Sequence, residues 1–151
     1  MKEHVTSIVQ LASQSLYALK LLKSKGLDPS ALRDVFNATV ISRLTYAAPS
    51  WWGYSTKSER NVLQSVINRA VKWGFCTKGD YEIEQLCSTI EDKLFSNVLD
   101  NIDHVLHQFL PPEKTCPYSL RPRAHNRTLP SKEDKLFSLH FSNRMLYDFL
   151  V

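Results

Sequence analysis

Two apolar patterns of helical period, separated by a proline, constrain the fold of this sequence more than any other feature. The first helix is expected to begin at Asp28, because Pro29 tolerates the first helical position and the Asp28 side chain can accept an unpaired backbone N–H. Pro49 lacks an N–H and disfavours the helical conformation of the residue before it, so the chain is expected to turn there. The apolar positions of this helix are Leu32, Val35, Phe36, Thr39, Val40 and Leu44.

The second pattern begins with a helix start signal. Ser55 or Thr56 can cap the helix, and Glu59 stands in the capping-box position for Thr56. The apolar positions that follow are Val62, Leu63, Val66, Ile67, Ala70, Val71 and Trp73.

Three aromatic residues, Trp51, Trp52 and Tyr54, lie in the connection between these helices. Aromatic rings in such a place could stack on unpaired bases. A tryptophan pair at a helix corner is more often part of the core, so we expect at least one of the two to be buried.

Further helices are predicted on both sides of this region. Residues 3–25 have an apolar face made by Val5, Ile8, Val9, Ala12, Leu16, Leu19 and Leu22, and Gly26 can end that helix in the left-handed conformation. Asp80 is expected to cap a short helix through Cys87. A long helix is expected from Ser88 or Thr89 to Phe109, because Pro111 and Pro112 would end it.

The rest of the chain changes character. Residues 111–130 carry five prolines and an excess of basic residues, which predicts an extended strap. Residues 131–151 are densely apolar and predict a helix that returns to the core, although Leu139 and Phe141 would also suit a short strand. The predicted fold is an all-α bundle of about four main helices over residues 1–110, with a Pro/Arg-rich extended strap at 111–130 and a C-terminal helix at 131–151.

The bulk composition is that of one ordinary globular domain. The 151 residues are 43% hydrophobic and 23% charged, and the net charge of +4 permits a polyanionic partner without requiring one. Three cysteines with no paired spacing are expected to be free thiols in a reducing compartment. No signal peptide or membrane-spanning segment is predicted, so the expected location is the cytoplasm or nucleus, with no membrane partner.

No catalytic constellation is evident. The few glycines are not clustered into a phosphate-binding loop, and no serine or cysteine has the sequence context of an activated nucleophile. His104, His107 and Cys116 could in principle approach one metal ion, but a fourth ligand at a customary interval is missing. Neither a cofactor nor a metal is expected, and no small-molecule substrate is evident.

Five segments together resemble a known family. They are residues 15–26 (SLYALKLLKSKG), 40–51 (VISRLTYAAPSW), 62–70 (VLQSVINRA), 120–130 (LRPRAHNRTLP) and 143–147 (NRMLY). In this order they are similar to the C-terminal region of non-LTR (LINE-type, jockey-like) retrotransposon reverse transcriptases. The resemblance covers nearly the whole chain and corresponds to the thumb and the post-thumb region, without the catalytic palm.

The resemblance implies a non-catalytic chain. The family polymerises DNA with palm aspartates, including a Tyr-x-Asp-Asp motif, and this sequence contains no Asp-Asp pair. The thumb of such enzymes packs on the template–primer duplex, so RNA or an RNA–DNA hybrid is the implied partner, bound weakly and without sequence preference. A further departure is the absence of the Cys/His zinc knuckle that ends some relatives.

The residues predicted to contact phosphate are basic residues in two places, namely Lys20, Lys23, Lys25, Arg121, Arg123 and Arg127. For the lysines, the alternative is that they stabilise the end of a helix, whose dipole is negative there. For the arginines, the alternative is that the strap wraps the bundle and its arginines cap helix C-termini. Arg33, Arg43, Arg60, Arg69 and Lys72 are expected to be solvated surface.

A second hypothesis comes from a different class of protein. The chain could be a helical protein-interaction module, or a subunit that docks on a separately encoded polymerase core. It would use apolar surface left exposed around the first helix and around Trp51 and Trp52. A contiguous exposed apolar patch would favour this hypothesis, whereas cations that converge on one face would favour nucleic acid.

Overall fold

The computed structural model describes residues 1–114, 125–131 and 134–149. These residues form helices and no β-strand, which confirms the predicted all-α class. The helices are α1 (Lys2–Ser24), α2 (Pro29–Phe36), α3 (Ser42–Thr45), α4 (Ala48–Trp51), α5 (Lys57–Trp73), α6 (Ile83–Asp100), α7 (Lys135–Leu139) and α8 (Phe141–Asp148). A π-helical turn covers Asn37–Ile41, and 3₁₀ turns cover Trp52–Tyr54 and His107–Phe109.

The chain divides into two compact units. Unit 1 comprises Met1–Ala48 and Ser55–Cys87, and unit 2 comprises Pro49–Tyr54 and Ser88–Val151. The expected boundary at residue 110 does not coincide with this division. The apolar pattern of one helix shows which face is buried but not which other segments cover it, so the sequence did not reveal that α6 belongs partly to each unit.

Unit 1 is built around α1, which packs against α2 and α3 as well as α5. Its buried side chains include Leu16, Leu19, Phe36, Val40, Leu44, Leu63 and Ile67. The helix boundaries follow local signals: Asp28 accepts a hydrogen bond from the backbone N–H of Ser30, and Gly26 takes a φ of +86° after α1.

The helix predicted from Asp28 towards Pro49 is interrupted. After α2 the backbone passes through the π-helical turn, and α3 ends at Thr45. Ala47 has a φ of +50°, so the turn lies before Pro49 rather than at it. Pro49 instead occupies the second position of α4, where a missing N–H costs nothing.

Unit 2 has its own core, in which Phe95 meets Phe141, Met145 and Leu146. The Phe95 ring also packs edge-on against Phe149, with centroids 5.0 Å apart. Trp51 and Trp52 are both buried, with exposed fractions of 4% and 3%, and pack edge to face. The expectation of at least one core tryptophan is confirmed, and neither ring is presented for base stacking.

Helix α6 differs from the prediction at both ends. It is one helix that begins at Ile83, where two helices divided near Ser88 were expected. It ends at Asp100, because the Asn101 side chain accepts a hydrogen bond from the backbone N–H of Asp103 at 3.0 Å and forms a local turn. Asp80 caps no helix, since it accepts from the backbone N–H of Thr77 instead.

The C-terminal part is also broken into shorter pieces. Residues 111–114 and 125–130 are non-helical, and an isolated antiparallel bridge joins Glu113 to Arg127. The predicted C-terminal helix is two helices, because His140 between α7 and α8 has extended backbone with a ψ of 137°. The alternative of a strand at Leu139 and Phe141 is wrong.

Candidate nucleic-acid interface

The C-terminal ends of α1 and α5 lie together in unit 1. The Lys23 ammonium donates to the Trp73 carbonyl oxygen at 2.7 Å and lies 5.6 Å from the centre of the Phe75 ring. The Lys20 ammonium lies over the Trp73 ring at 5.3 Å. Lys23 therefore stabilises the negative end of the neighbouring helix in addition to lying in the last turn of its own, and Lys20 makes a cation–π contact with the same helix.

Two basic residues of α5, Arg69 and Lys72, precede the helix end that these lysines contact. Arg69 reaches across to α1, where its guanidinium donates to the Ser13 hydroxyl at 2.8 Å. Lys72 is exposed one turn further along α5, close to the end that Lys20 and Lys23 contact. Both residues were expected to be scattered surface charges. We call the C-terminal part of α1 and α5, with Lys20, Lys23, Lys25, Arg69 and Lys72, the cationic face.

The sequence signal for this face is a local absence of acids. Neither residues 4–27 nor residues 60–79 contain an aspartate or glutamate. Each stretch taken alone looks like an ordinary solvated helix. Only the packing of α1 against α5 combines the two stretches into one positive surface.

The carboxylates that follow these stretches in the sequence are engaged locally. Asp28 accepts from the Ser30 hydroxyl and from its backbone N–H, and these hydrogen bonds lower the pKa of Asp28. Asp80 forms an ion pair with Arg33, and hydrogen bonds from Thr77 together with the Arg33 charge lower its pKa. Both carboxylates stay ionised in contacts outside the cationic face.

Arg127, the predicted phosphate contact in the strap, has a different environment. Its side chain is only 14% exposed, and its guanidinium donates to the Pro111 carbonyl oxygen at 3.2 Å. It also pairs with Glu113 at 3.3 Å and approaches Nε2 of His107 at 3.4 Å. In this geometry Arg127 holds the two described ends of the strap together, and the Pro111 and Glu113 oxygens that it contacts do not belong to a helix C-terminus. Arg121 and Arg123 lie outside the described residues and remain predictions.

The two histidines considered as metal ligands each use Nδ1 in a hydrogen bond within the protein. Nδ1 of His104 accepts from the backbone N–H of Leu106 at 3.1 Å, and Nδ1 of His107 lies 2.8 Å from the Val98 carbonyl oxygen. Among the residues that the structure describes, no group of three or more His, Cys, Asp or Glu side chains is placed to hold a metal ion. Cys116 lies outside them.

An apolar groove of about 540 Å³ opens on unit 2. Its lining residues are Tyr54, Leu106, Phe109, Leu136, Phe137, His140, Ser142 and Asn143. Phe109 is 69% exposed and Leu136 is 64% exposed. Unit 2 thus exposes apolar surface here, whereas the expected location at Trp51 and Trp52 is wrong because both side chains are buried.

On α1 the exposed apolar side chains are more dispersed. They include Leu11, Leu21 and Leu22, each roughly half exposed.

Within the described ranges no helix is long and apolar enough to cross a membrane. No protein-family model, curated protein or solved structure matches this chain.

Proposed function

We propose that this chain is a non-catalytic nucleic-acid-binding helical region, equivalent to the thumb and post-thumb part of a non-LTR retrotransposon reverse transcriptase. It binds RNA or an RNA–DNA hybrid weakly and without sequence preference. The cationic face makes the phosphate contacts. The chain performs no polymerisation itself, because the sequence carries no Asp-Asp pair for metal-dependent nucleotide addition.

The observation that carries the proposal is the concentration of cations from α1 and α5 in one place without a carboxylate in either helical stretch. A surface of one charge sign releases counterions from a polyanion when it binds, and this term needs no base-specific contact. Two other arginines of unit 1 are ion-paired, Arg33 with Asp80 and Arg60 with Glu84, the second pair at 3.0 Å. The contrast supports a role for the unneutralised face.

The test is a salt series of binding to a fluorescent RNA–DNA hybrid, measured by anisotropy from about 50 to 200 mM salt. A variant with Lys25, Arg69 and Lys72 changed to glutamine removes three charges of the face and keeps Lys20 and Lys23, which contact α5. Its slope of log affinity against log salt should be shallower than that of the wild type by about 2 to 3.

The matched control changes Lys57, Lys93 and Lys135 to glutamine, which removes the same net charge from exposed positions outside the face. It should leave the slope within about 1 of the wild-type value. Equal effects of the two variants would reject a localised interface. A separate variant with Arg121 and Arg123 changed to glutamine tests the contribution predicted for the strap.

The apolar groove of unit 2 favours a second candidate function, in which the chain docks on a separately encoded polymerase core. Docking would bury the Phe109 and Leu136 side chains, which are otherwise largely in water. Calorimetric titration with a purified polymerase core that lacks its own C-terminal region tests this candidate. The wild type should bind and a Phe109→Glu variant should not. Equal affinity of the two proteins for the polymerase core would reject the groove as the docking site.

A further inference from the structure

One exposed aromatic ring on the cationic face has no role in the core. Tyr17 lies on α1 with 60% of its surface exposed. On a helix, residues three or four positions apart are neighbours, so Tyr17 lies one turn after Ser13 and one turn before Lys20. Because Arg69 donates to the Ser13 hydroxyl, Tyr17 is bracketed along α1 by the positions of two cations, Arg69 and Lys20.

The other aromatic side chain at this end of unit 1 is already in use. The Lys20 ammonium lies over the Trp73 ring, 5.3 Å from its centre, and the Trp73 and Phe75 rings pack in a T-shaped arrangement with centroids 6.4 Å apart. The Trp73 ring is therefore occupied by contacts within unit 1. Tyr17 is the aromatic side chain that the face presents to solvent.

We propose that Tyr17 is a stacking platform for an unpaired base, so that the cationic face prefers a single-stranded polynucleotide to a duplex. The proposal rests on the proposed nucleic-acid function and specifies its substrate class. Flanking cations would hold the phosphates on either side of the nucleotide whose base lies on the ring. In a duplex the base faces are covered by their neighbours, so a duplex gains the phosphate contacts without the stacking contact.

The experiment measures anisotropy with a short single-stranded RNA, a single-stranded DNA of the same sequence, and a blunt-ended duplex of two separate strands. Single strands of RNA and DNA share the phosphate and base chemistry, and the two arms show whether one of them is preferred. Tyr17→Ala should weaken binding to single strands by about tenfold and change duplex binding less than about twofold. Tyr17→Phe should keep single-strand affinity, because the ring stacks without its hydroxyl.

Tyr46→Ala is the matched control, because Tyr46 is 76% exposed and follows α3 rather than lying on α1 or α5. Tyr46→Ala should change neither the affinity for single strands nor the affinity for the duplex. If Tyr17→Ala leaves single-strand binding unchanged, or weakens both substrates equally, the stacking platform is rejected. A shallower salt slope for the Lys25, Arg69 and Lys72 variant than for the wild type would then still uphold the electrostatic function, whereas a wild-type chain that binds nothing overturns both proposals.

Discussion

Arg144 and Glu91 form a two-point ion pair inside unit 2. Glu91 is 2% exposed, and the Arg144 guanidinium donates to both of its carboxylate oxygens, at 2.8 Å for the Nη1 contact. These hydrogen bonds hold the pKa of Arg144 above its usual range, so the arginine stays charged. A buried pair of this kind adds little relative to an apolar pair, but removal of one partner leaves a buried charge uncompensated.

We therefore expect Arg144→Leu to lower the free energy of unfolding by about 3 kcal/mol or more. The double variant Glu91→Leu with Arg144→Leu should recover most of that loss, because no charge then remains buried. Urea unfolding followed by circular dichroism measures both values. A double variant as unstable as the single one would show that the pair itself, rather than the orphaned carboxylate, carries the stability.

The predictability of single residues depended on whether their partners are local. Asp28 and Gly26 were predictable because a cap and a left-handed turn involve only neighbours in the chain. Lys20 and Lys23 were identified as candidate site residues, but their attachment to the end of α5 was not. Arg69 was missed because its significance depends on which face of α5 meets α1.

At the level of elements, the start of α5 is fixed by a complete capping box. The Thr56 hydroxyl accepts from the backbone N–H of Glu59, and the Glu59 carboxylate accepts from the backbone N–H of Thr56 at 2.7 Å. The hydrogen bonds from Thr56 lower the pKa of Glu59. Ionised Glu59 therefore stabilises the fold above its unfolded pKa of about 4.3, and this contribution is lost as the pH falls through the lower folded value.

We expect wild type to be more stable than Glu59→Gln at about pH 7, with the difference closing as the pH falls below the ordinary glutamate range. Thermal unfolding at a series of pH values measures the difference. Thr56→Ala should cost about 1 kcal/mol at neutral pH through loss of the reciprocal cap. A stability gap between wild type and Glu59→Gln that widens in acid would contradict the sign of the pKa shift.

The close approach of α7 to the 3₁₀ turn at Trp52–Tyr54 depends on Gly53. A Cβ atom at this position would lie 2.3 Å from the Leu139 carbonyl oxygen and 3.1 Å from Nε of Arg144. The first of these atoms belongs to the backbone, so the two elements would have to separate.

Gly53→Ala should therefore cost about 3 kcal/mol in the free energy of unfolding. The comparison is Gly26→Ala, where a Cβ meets nothing within 4 Å and only the φ of +86° opposes it. That variant should cost about 1 kcal/mol. Equal losses in the free energy of unfolding of the two variants would show that α7 can move away from the 3₁₀ turn at little cost.

Element boundaries were predictable where the signal is local and unopposed. The capping box of α5 and the start of α2 were anticipated, because the responsible residues are adjacent in sequence. The end of α6 was not anticipated, since apolar residues continue at helical spacing beyond Asp100 while the Asn101 side chain turns the backbone. A periodic pattern thus concealed a turn signal that was present in the sequence.

At the scale of the whole molecule, the sequence predicted the helical class but not the division into units. An apolar pattern of helical period indicates which side of a helix is buried but not which segment covers it. Phe95, for example, packs against residues of α8, which lie far along the chain. The candidate site shows the same limit. The net charge of +4 is modest, yet the absence of acids from residues 4–27 and 60–79 concentrates positive charge where α1 and α5 meet.

The most direct measurement is a map of amide chemical shifts in the ¹⁵N-labelled chain during titration with a short single-stranded RNA at low salt. We expect the largest changes at the end of α1 from Ser13 to Lys25 and at the end of α5 from Arg69 to Gly74, with the changes reversed by added salt. Changes confined to unit 2, or none at saturating RNA, would contradict the assignment of nucleic-acid binding to the cationic face.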